Sequence, residues 1–273
     1  DKKLTLFDKW ILSRLNQVIK QTDRYFDKYE FVEASRILYN FIWNEFANWY
    51  LELSKVTLQN EKQKQTTQAV LLYVLKSILK LLHPYIPFVT EKLYKQLSDE
   101  ETITLSHWPI AGRVTKTAID EFAHIEDLIT KIRNLRNEYQ IAPSKPLDIT
   151  LVIKDDKLTK VAKTYRTHLE KFLNTKVLTI DAFSGKEEAV FISGSQIDAY
   201  ILKADLIDVA ALIEQLNKQK VQLELEIARS KSLLENPNFI AKAPETKLKL
   251  ETDKYKDYMK QYDQVLEELK NYV

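Results

Sequence analysis

Apolar residues recur at alternating steps of three and four over the last third of the chain. Leu206, Val209, Ile213, Leu216, Leu223, Ile227 and Leu234 hold that spacing, with Lys220 and Ser230 filling two steps. Leu248, Tyr255, Met259, Tyr262, Leu266, Leu269 and Val273 repeat it, with Thr252 in step. Such spacing lays one apolar stripe along each helix, the seam of a coiled coil. Between the two runs lies Asn-Pro-Asn-Phe-Ile-Ala-Lys-Ala-Pro, from Asn236 to Pro244. Pro237 and Pro244 cannot sit inside a helix, so the chain turns back there. The pattern predicts an antiparallel two-helix hairpin from Asp205, its first helix about 43 Å long at roughly 1.5 Å per residue.

Upstream, the same period of 3.6 predicts a helical bundle over residues 1–115. Residues 4–28 carry Leu6, Trp10, Leu15, Val18 and Ile19 among polar neighbours. Over 31–58, Phe31, Ala34, Leu38, Ile42, Phe46, Trp49, Leu53 and Val56 keep helical spacing. The polar run 59–68 reads as a linker and helix start, followed by a core helix over 69–82 that His83, Pro84 and Pro87 close. A short helix through Leu97 and an extended exit at Ile103–Leu105 and Trp108 complete this part. From 116 to 204 the character shifts to α/β. A helix over 118–139 precedes strand-like runs at 147–153, 177–180, 189–192 and 199–202, with a helix at 158–173 between the first two. The fold class predicted is mainly α: a bundle, a small α/β connector and a hairpin at 205–273.

Composition narrows the chemistry. Basic and acidic side chains number 41 and 39, so no polycationic field announces nucleic acid. Within 203–273 the count is 12 basic to 13 acidic, so bulk charge gives the hairpin no pull on a polyanion, and any such binding rests on a few placed cations. Cysteine is absent, which excludes disulfides, thiolate zinc sites and a cysteine nucleophile. The three glycines, Gly112, Gly185 and Gly194, never cluster, so no phosphate-cradling loop is formed. No signal peptide or bilayer-length apolar run is read, and a cytoplasmic setting without membrane contact is expected.

The turn Asn-Pro-x-Phe-x-x-Lys-Ala-Pro and its Lys- and Tyr-rich return helix closely resemble the C-terminal arm of valyl-tRNA synthetases. Further blocks extend that resemblance over the whole chain. Trp10-Ile11-Leu12-Ser13-Arg14-Leu15 and Trp49-Tyr50-Leu51-Glu52-x-x-Lys55 resemble the first and second. Leu82-His83-Pro84-x-x-Pro87-Phe88-x-Thr90-Glu91, Trp108-Pro109 and Ile132-Arg133-Asn134-x-Arg136 with Ala142-Pro143-Ser144-Lys145-Pro146 resemble the rest. The first three blocks are shared by several synthetases; the last block and the arm point to valine. The resemblance implies a class I anticodon-binding bundle and an arm that supports the outer corner of tRNA-Val, in a monomer that does not bind DNA. It also implies a parent enzyme that uses ATP and Mg²⁺ to charge tRNA. No His-x-Gly-His or Lys-Met-Ser-Lys-Ser-like motif occurs. The expectation is therefore a non-catalytic C-terminal segment without cofactor or metal, lacking a family helix just upstream of the Trp10 helix. The rival readings are a protein-binding coiled coil and the anticodon domain of an isoleucyl- or leucyl-type enzyme.

Candidate residues follow. By the resemblance, Leu51 faces the anticodon, with Tyr50 and Lys55 beside it; an exposed leucine can sense a splayed base and a lysine can meet phosphate. Arg229 and Lys254 occupy arm positions that contact the tRNA corner in the family. Arg133 and Arg136, one turn apart, are possible phosphate contacts. Trp49 falls on the apolar stripe and reads as core. His83 reads as a hydrogen-bonded helix end, and Asp120, Glu121, Glu126 and Asp127 as a solvated face.

Overall fold

The computed structural model describes residues 4–183, 188–206, 209–236 and 244–270. These form two compact units. One holds the chain up to Glu138 with Ala142–Leu202; the other holds Tyr139–Ile141 with the chain from Lys203 onward.

In the first unit, α1 (Leu6–Asp27) opens on a reciprocal cap: Thr5 Oγ1 accepts from the Asp8 N–H, and the Asp8 carboxylate accepts from the Thr5 N–H. Its apolar face, with Phe7, Ile11, Leu15 and Ile19 buried, makes it the bundle's central helix, packed on α2 (Phe31–Asn40), α4 (Glu61–Leu82) and α6 (Lys116–Glu138). α5 (Pro87–Tyr94) packs on α4, starting at Pro87 where a missing N–H costs nothing.

The helix expected over 31–58 forms, but its period changes midway. Between α2 and α3 (Leu51–Thr57), Phe41–Tyr50 widens into a π-helix, and the Leu51 N–H bonds to the Phe46 carbonyl five residues back. A stretch of this length exceeds the usual single-turn bulge. The wider turn brings Tyr50, off the expected stripe, into the core; Phe41, one turn after buried Leu38, is buried as well, while Phe31 is exposed.

Three other expectations need correcting. Residues 59–68 are helix start with almost no linker: Asn60 caps the Lys62 N–H, and α4 runs from Glu61, its polar opening turns already burying Thr67. Ile103–Leu105 is a 3₁₀ turn, not part of an extended exit. The helix at 158–173 is two, α7 (Asp156–Thr164) and α8 (Arg166–Leu173), hinged at Tyr165.

The sheet has strand order β2-β1-β4-β3, from β1 (Leu147–Ile153), β2 (Thr175–Ile180), β3 (Ala189–Ile192) and β4 (Ile197–Leu202). β1 and β2 run parallel and need the α7–α8 crossover; β4 is antiparallel to both β1 and β3. In the tight β3–β4 turn, a Cβ added to Gly194 would lie 2.1 Å from the Ile197 carbonyl oxygen, which only glycine tolerates. α6 contacts α1 on one side and β4 and α8 on the other, so bundle and sheet share a core. Phe122 of α6 lies against Trp10, ring centroids 3.8 Å apart.

The second unit is the hairpin: a turn of helix α9 (Lys203–Leu206), then α10 (Val209–Leu234) packed against α11 (Glu245–Lys270). Leu216, Ser230 and Val265 are buried, and Leu223, Ile227, Tyr255, Met259, Tyr262 and Leu266 are half-buried along the seam. Across it, Ser230 Oγ donates to Glu251 at 2.9 Å and the Tyr262 hydroxyl to Glu224 at 2.9 Å, which fixes the antiparallel register. Most of the predicted turn, residues 237–243, lies outside the described residues, as do Val273 and the side chains of Val209 and Ile213.

Candidate nucleic-acid interface

The sequence candidates on the bundle separate by burial. Leu51 is 37% exposed, off the core face as expected. One turn on, Lys55 is exposed and reaches Glu52 at 2.6 Å, a surface pair that costs little to re-partner. Tyr50 is different. At 1% exposure it cannot touch a base, because the π stretch rotates it inward. Its hydroxyl donates to Asp8 Oδ1 at 2.6 Å, and burial together with the Asp8 charge raises its pKa. Tyr50 anchors the helix that presents Leu51; it is not a contact itself.

Arg133 and Arg136 separate in the same way. Arg133 stays at the surface, its guanidinium 5.1 Å from the Trp49 ring and 5.8 Å from that of Phe172. Those two rings stack, with Trp49 buried as expected and Phe172 half-buried at the edge of the core. Arg136 is only 7% exposed and donates to the carbonyls of Lys145 at 2.7 Å, Leu173 at 2.8 Å and Asn174 at 3.0 Å. Burial lowers its pKa, yet a guanidinium stays charged. With its fork committed to three carbonyls, Arg136 is a structural tie and not a phosphate contact.

His83 is bonded on both ring nitrogens, to Thr90 Oγ1 at 2.8 Å and Thr104 Oγ1 at 3.3 Å, consistent with a helix-end role. The acidic face is not fully solvated: Glu126 is half-buried, its pKa raised by burial and by the Glu45 charge. Among the described residues no group of His, Asp or Glu is arranged to hold a metal, and no helix is long and apolar enough to cross a membrane.

On the hairpin, Arg229 and Lys254 are exposed, with Glu226 and Glu251 respectively at 3.8 Å. The Ser230–Glu251 and Glu224–Tyr262 rungs place them at neighbouring depths. At that distance each cation is only loosely held and can turn toward an outside anion.

Sequence reasoning passed over Tyr39 and Trp43, which stand out from α2 and the π stretch at 66% and 57% exposure. Their signal was available: two aromatics four residues apart, off the apolar stripe.

Residues 8–151 match the family model described as the anticodon-binding domain of tRNA ligase, and the chain belongs to that family. Residues 208–272 match a second model, the valyl tRNA synthetase tRNA binding arm. Among similar proteins, the valine–tRNA ligase of Listeria monocytogenes is 37% identical over 273 residues, covering 96% of this chain and 30% of that protein. The valine–tRNA ligase of Streptococcus mutans is 38% identical over 269 residues, covering 96% and 30%. That of Oceanobacillus iheyensis is 36% identical over 265 residues, covering 94% and 30%. The chain thus spans about 30% of the length of the curated relatives it matches.

Proposed function

We propose that this chain holds tRNA-Val at two places, the anticodon loop on the α2–α3 face and the outer corner on the hairpin. The supporting observation is that one chain carries both the anticodon-binding match and the tRNA-binding-arm match. Leu51 meets an anticodon base and Lys55 its phosphates, while Arg229 and Lys254 each neutralise one phosphate at the corner. Arg133 is a further phosphate contact. Two grips fix a long molecule better than one, so the acceptor end is presented at a defined place and the entropy cost of reaching a reactive geometry falls.

The chemistry, ATP- and Mg²⁺-dependent valylation, belongs in this proposal to the rest of a longer cytoplasmic enzyme. No residue described here is assigned to holding ATP or the metal. Alone, the chain is expected to show no valine-dependent exchange of pyrophosphate into ATP. The deciding experiment is binding of the chain to tRNA-Val and to other tRNAs across a salt series. Tighter binding of tRNA-Val, with affinity falling as salt rises, supports the proposal. Equal affinity for tRNA and for an unrelated polyanion would remove it and leave a generic acidic-partner hairpin.

A further inference from the structure

The face carrying Leu51 extends further than the motif that drew attention to it. A step of four residues overshoots an α-turn by about 40°, so in an unbroken helix the positions 39, 43, 47, 51 and 55 would fan through about 160°. The wider turn of Phe41–Tyr50 undershoots by a similar angle and cancels that drift. Tyr39, Trp43, Leu51 and Lys55 therefore share one stripe, all exposed, with Ala47 half-buried between.

The Tyr39 and Trp43 rings lie nearly parallel, 9° between planes and centroids 6.5 Å apart. They flank a groove of about 560 Å³ whose wall is Ile42, Leu82, Tyr85 and Ile86. That wall is fixed, since the Tyr85 hydroxyl donates to the Phe31 carbonyl at 2.7 Å. A cation stands at each end of the stripe, Lys55 beyond Leu51 and Arg36 one turn before Tyr39. Arg36 pairs with Glu33 at 3.0 Å, both side chains open to solvent. Flat aromatic faces between placed cations suit a strand of unpaired bases with phosphates on its margins.

We propose that Tyr39 and Trp43 form a stacking platform for an unpaired base of the RNA loop that meets Leu51 and Lys55. This rests on the function proposed above and adds the residues that hold the next part of the loop. RNA is favoured over a protein partner because the platform is continuous with the Leu51–Lys55 face, lies within the anticodon-binding match, and is bounded by cations.

The test is fluorescence anisotropy of a labelled RNA stem–loop, carrying the tRNA-Val anticodon, against the whole chain. Trp43→Ala and Tyr39→Ala are each expected to weaken binding by about five- to a hundred-fold, the range for losing one base–aromatic stack, with the salt slope unchanged. Trp43→Phe should keep most of the affinity and Trp43→Leu should lose it, because stacking needs a ring and groove filling does not. The second position, two-thirds exposed, guards against a folding artefact. If Trp43→Leu and Tyr39→Ala bind the stem–loop like wild type, the platform is overturned and the face is left for a protein partner. Binding of intact tRNA through the remaining contacts would then survive, leaving the proposed function standing. If the unaltered chain binds neither stem–loop nor tRNA, both proposals fall together.

Discussion

In the first unit, Asp8, Arg136 and His168 are buried and bonded to partners far away in sequence. In the hairpin, Arg229 and Lys254 ride outside the seam with a carboxylate at 3.8 Å from each. The first unit has drawn these three groups into its fold, whereas these two hairpin cations stay at the surface, where a ligand can recruit them. Substitutions should divide accordingly, stability being lost in the one and affinity in the other.

Arg136→Met is the strongest test of the first half. It removes three hydrogen bonds and takes the guanidinium from the buried Leu173 carbonyl, while the Asn174 carbonyl keeps its bond from the Leu147 N–H. The expected loss is about 3 kcal/mol, read as a lower urea midpoint. Arg136→Lys should recover little, since an ammonium lacks the planar fork. A loss under about 1 kcal/mol, with a flatter salt slope for RNA binding, would return Arg136 to the surface contacts.

Acid should act on the same unit. His168 Nε2 is hydrogen-bonded to Thr57 Oγ1 at 3.1 Å and its ring packs on Phe7 and Tyr165, and its pKa is lowered to about 4, by burial first and Lys171 second. Because the folded value lies below the unfolded value of about 6.5, the unfolded chain gains a proton first as pH falls. The stabilisation is complete above about pH 6.5 and is lost on descending toward pH 4, a change of up to about 3 kcal/mol. His168→Gln should flatten that part of the stability–pH curve; an unchanged curve would place the titration elsewhere.

Tyr50→Phe is milder. Asp8 keeps its bond from the Thr5 N–H but loses the tyrosine hydroxyl, at a cost of about 1–2 kcal/mol. RNA affinity of the folded protein should not move, which distinguishes an anchoring tyrosine from one that touches a base.

What was legible in the sequence follows from range. The hairpin seam is a local period, and most of its buried and half-buried residues are those the pattern named, Val265 being a buried one it left out. Leu51 was readable as off-stripe for the same reason. The π stretch was not, because a 3.6-residue template was laid over Phe41–Tyr50 and could not show a change of turn. The hinge at Tyr165 has neither glycine nor proline to announce it. Tyr50 and Arg136 were misplaced because their partners lie 42 and 37 residues away, and residue type alone cannot say whether a polar head faces water or a distant carbonyl.

The smallest effect on stability is expected in the hairpin, and there the comparison is sharpest. Arg229→Ala and Lys254→Ala each remove an exposed, loosely paired charge, so unfolding should shift by no more than about 0.5 kcal/mol. Binding should respond instead. If each cation neutralises one phosphate, each variant weakens tRNA binding and flattens the dependence of log affinity on log salt by somewhat less than ~1 unit. The loss should be similar for all tRNAs of the same shape, because phosphate contacts position without reading sequence. Leu51→Ala should do the reverse, eroding discrimination among anticodons while the salt slope holds. Two cation variants with wild-type affinity and slope would mean that the hairpin's surface charge is not recruited by RNA. The contrast between buried charges that tie the first unit together and exposed hairpin cations kept for a ligand would then fail at its outer end.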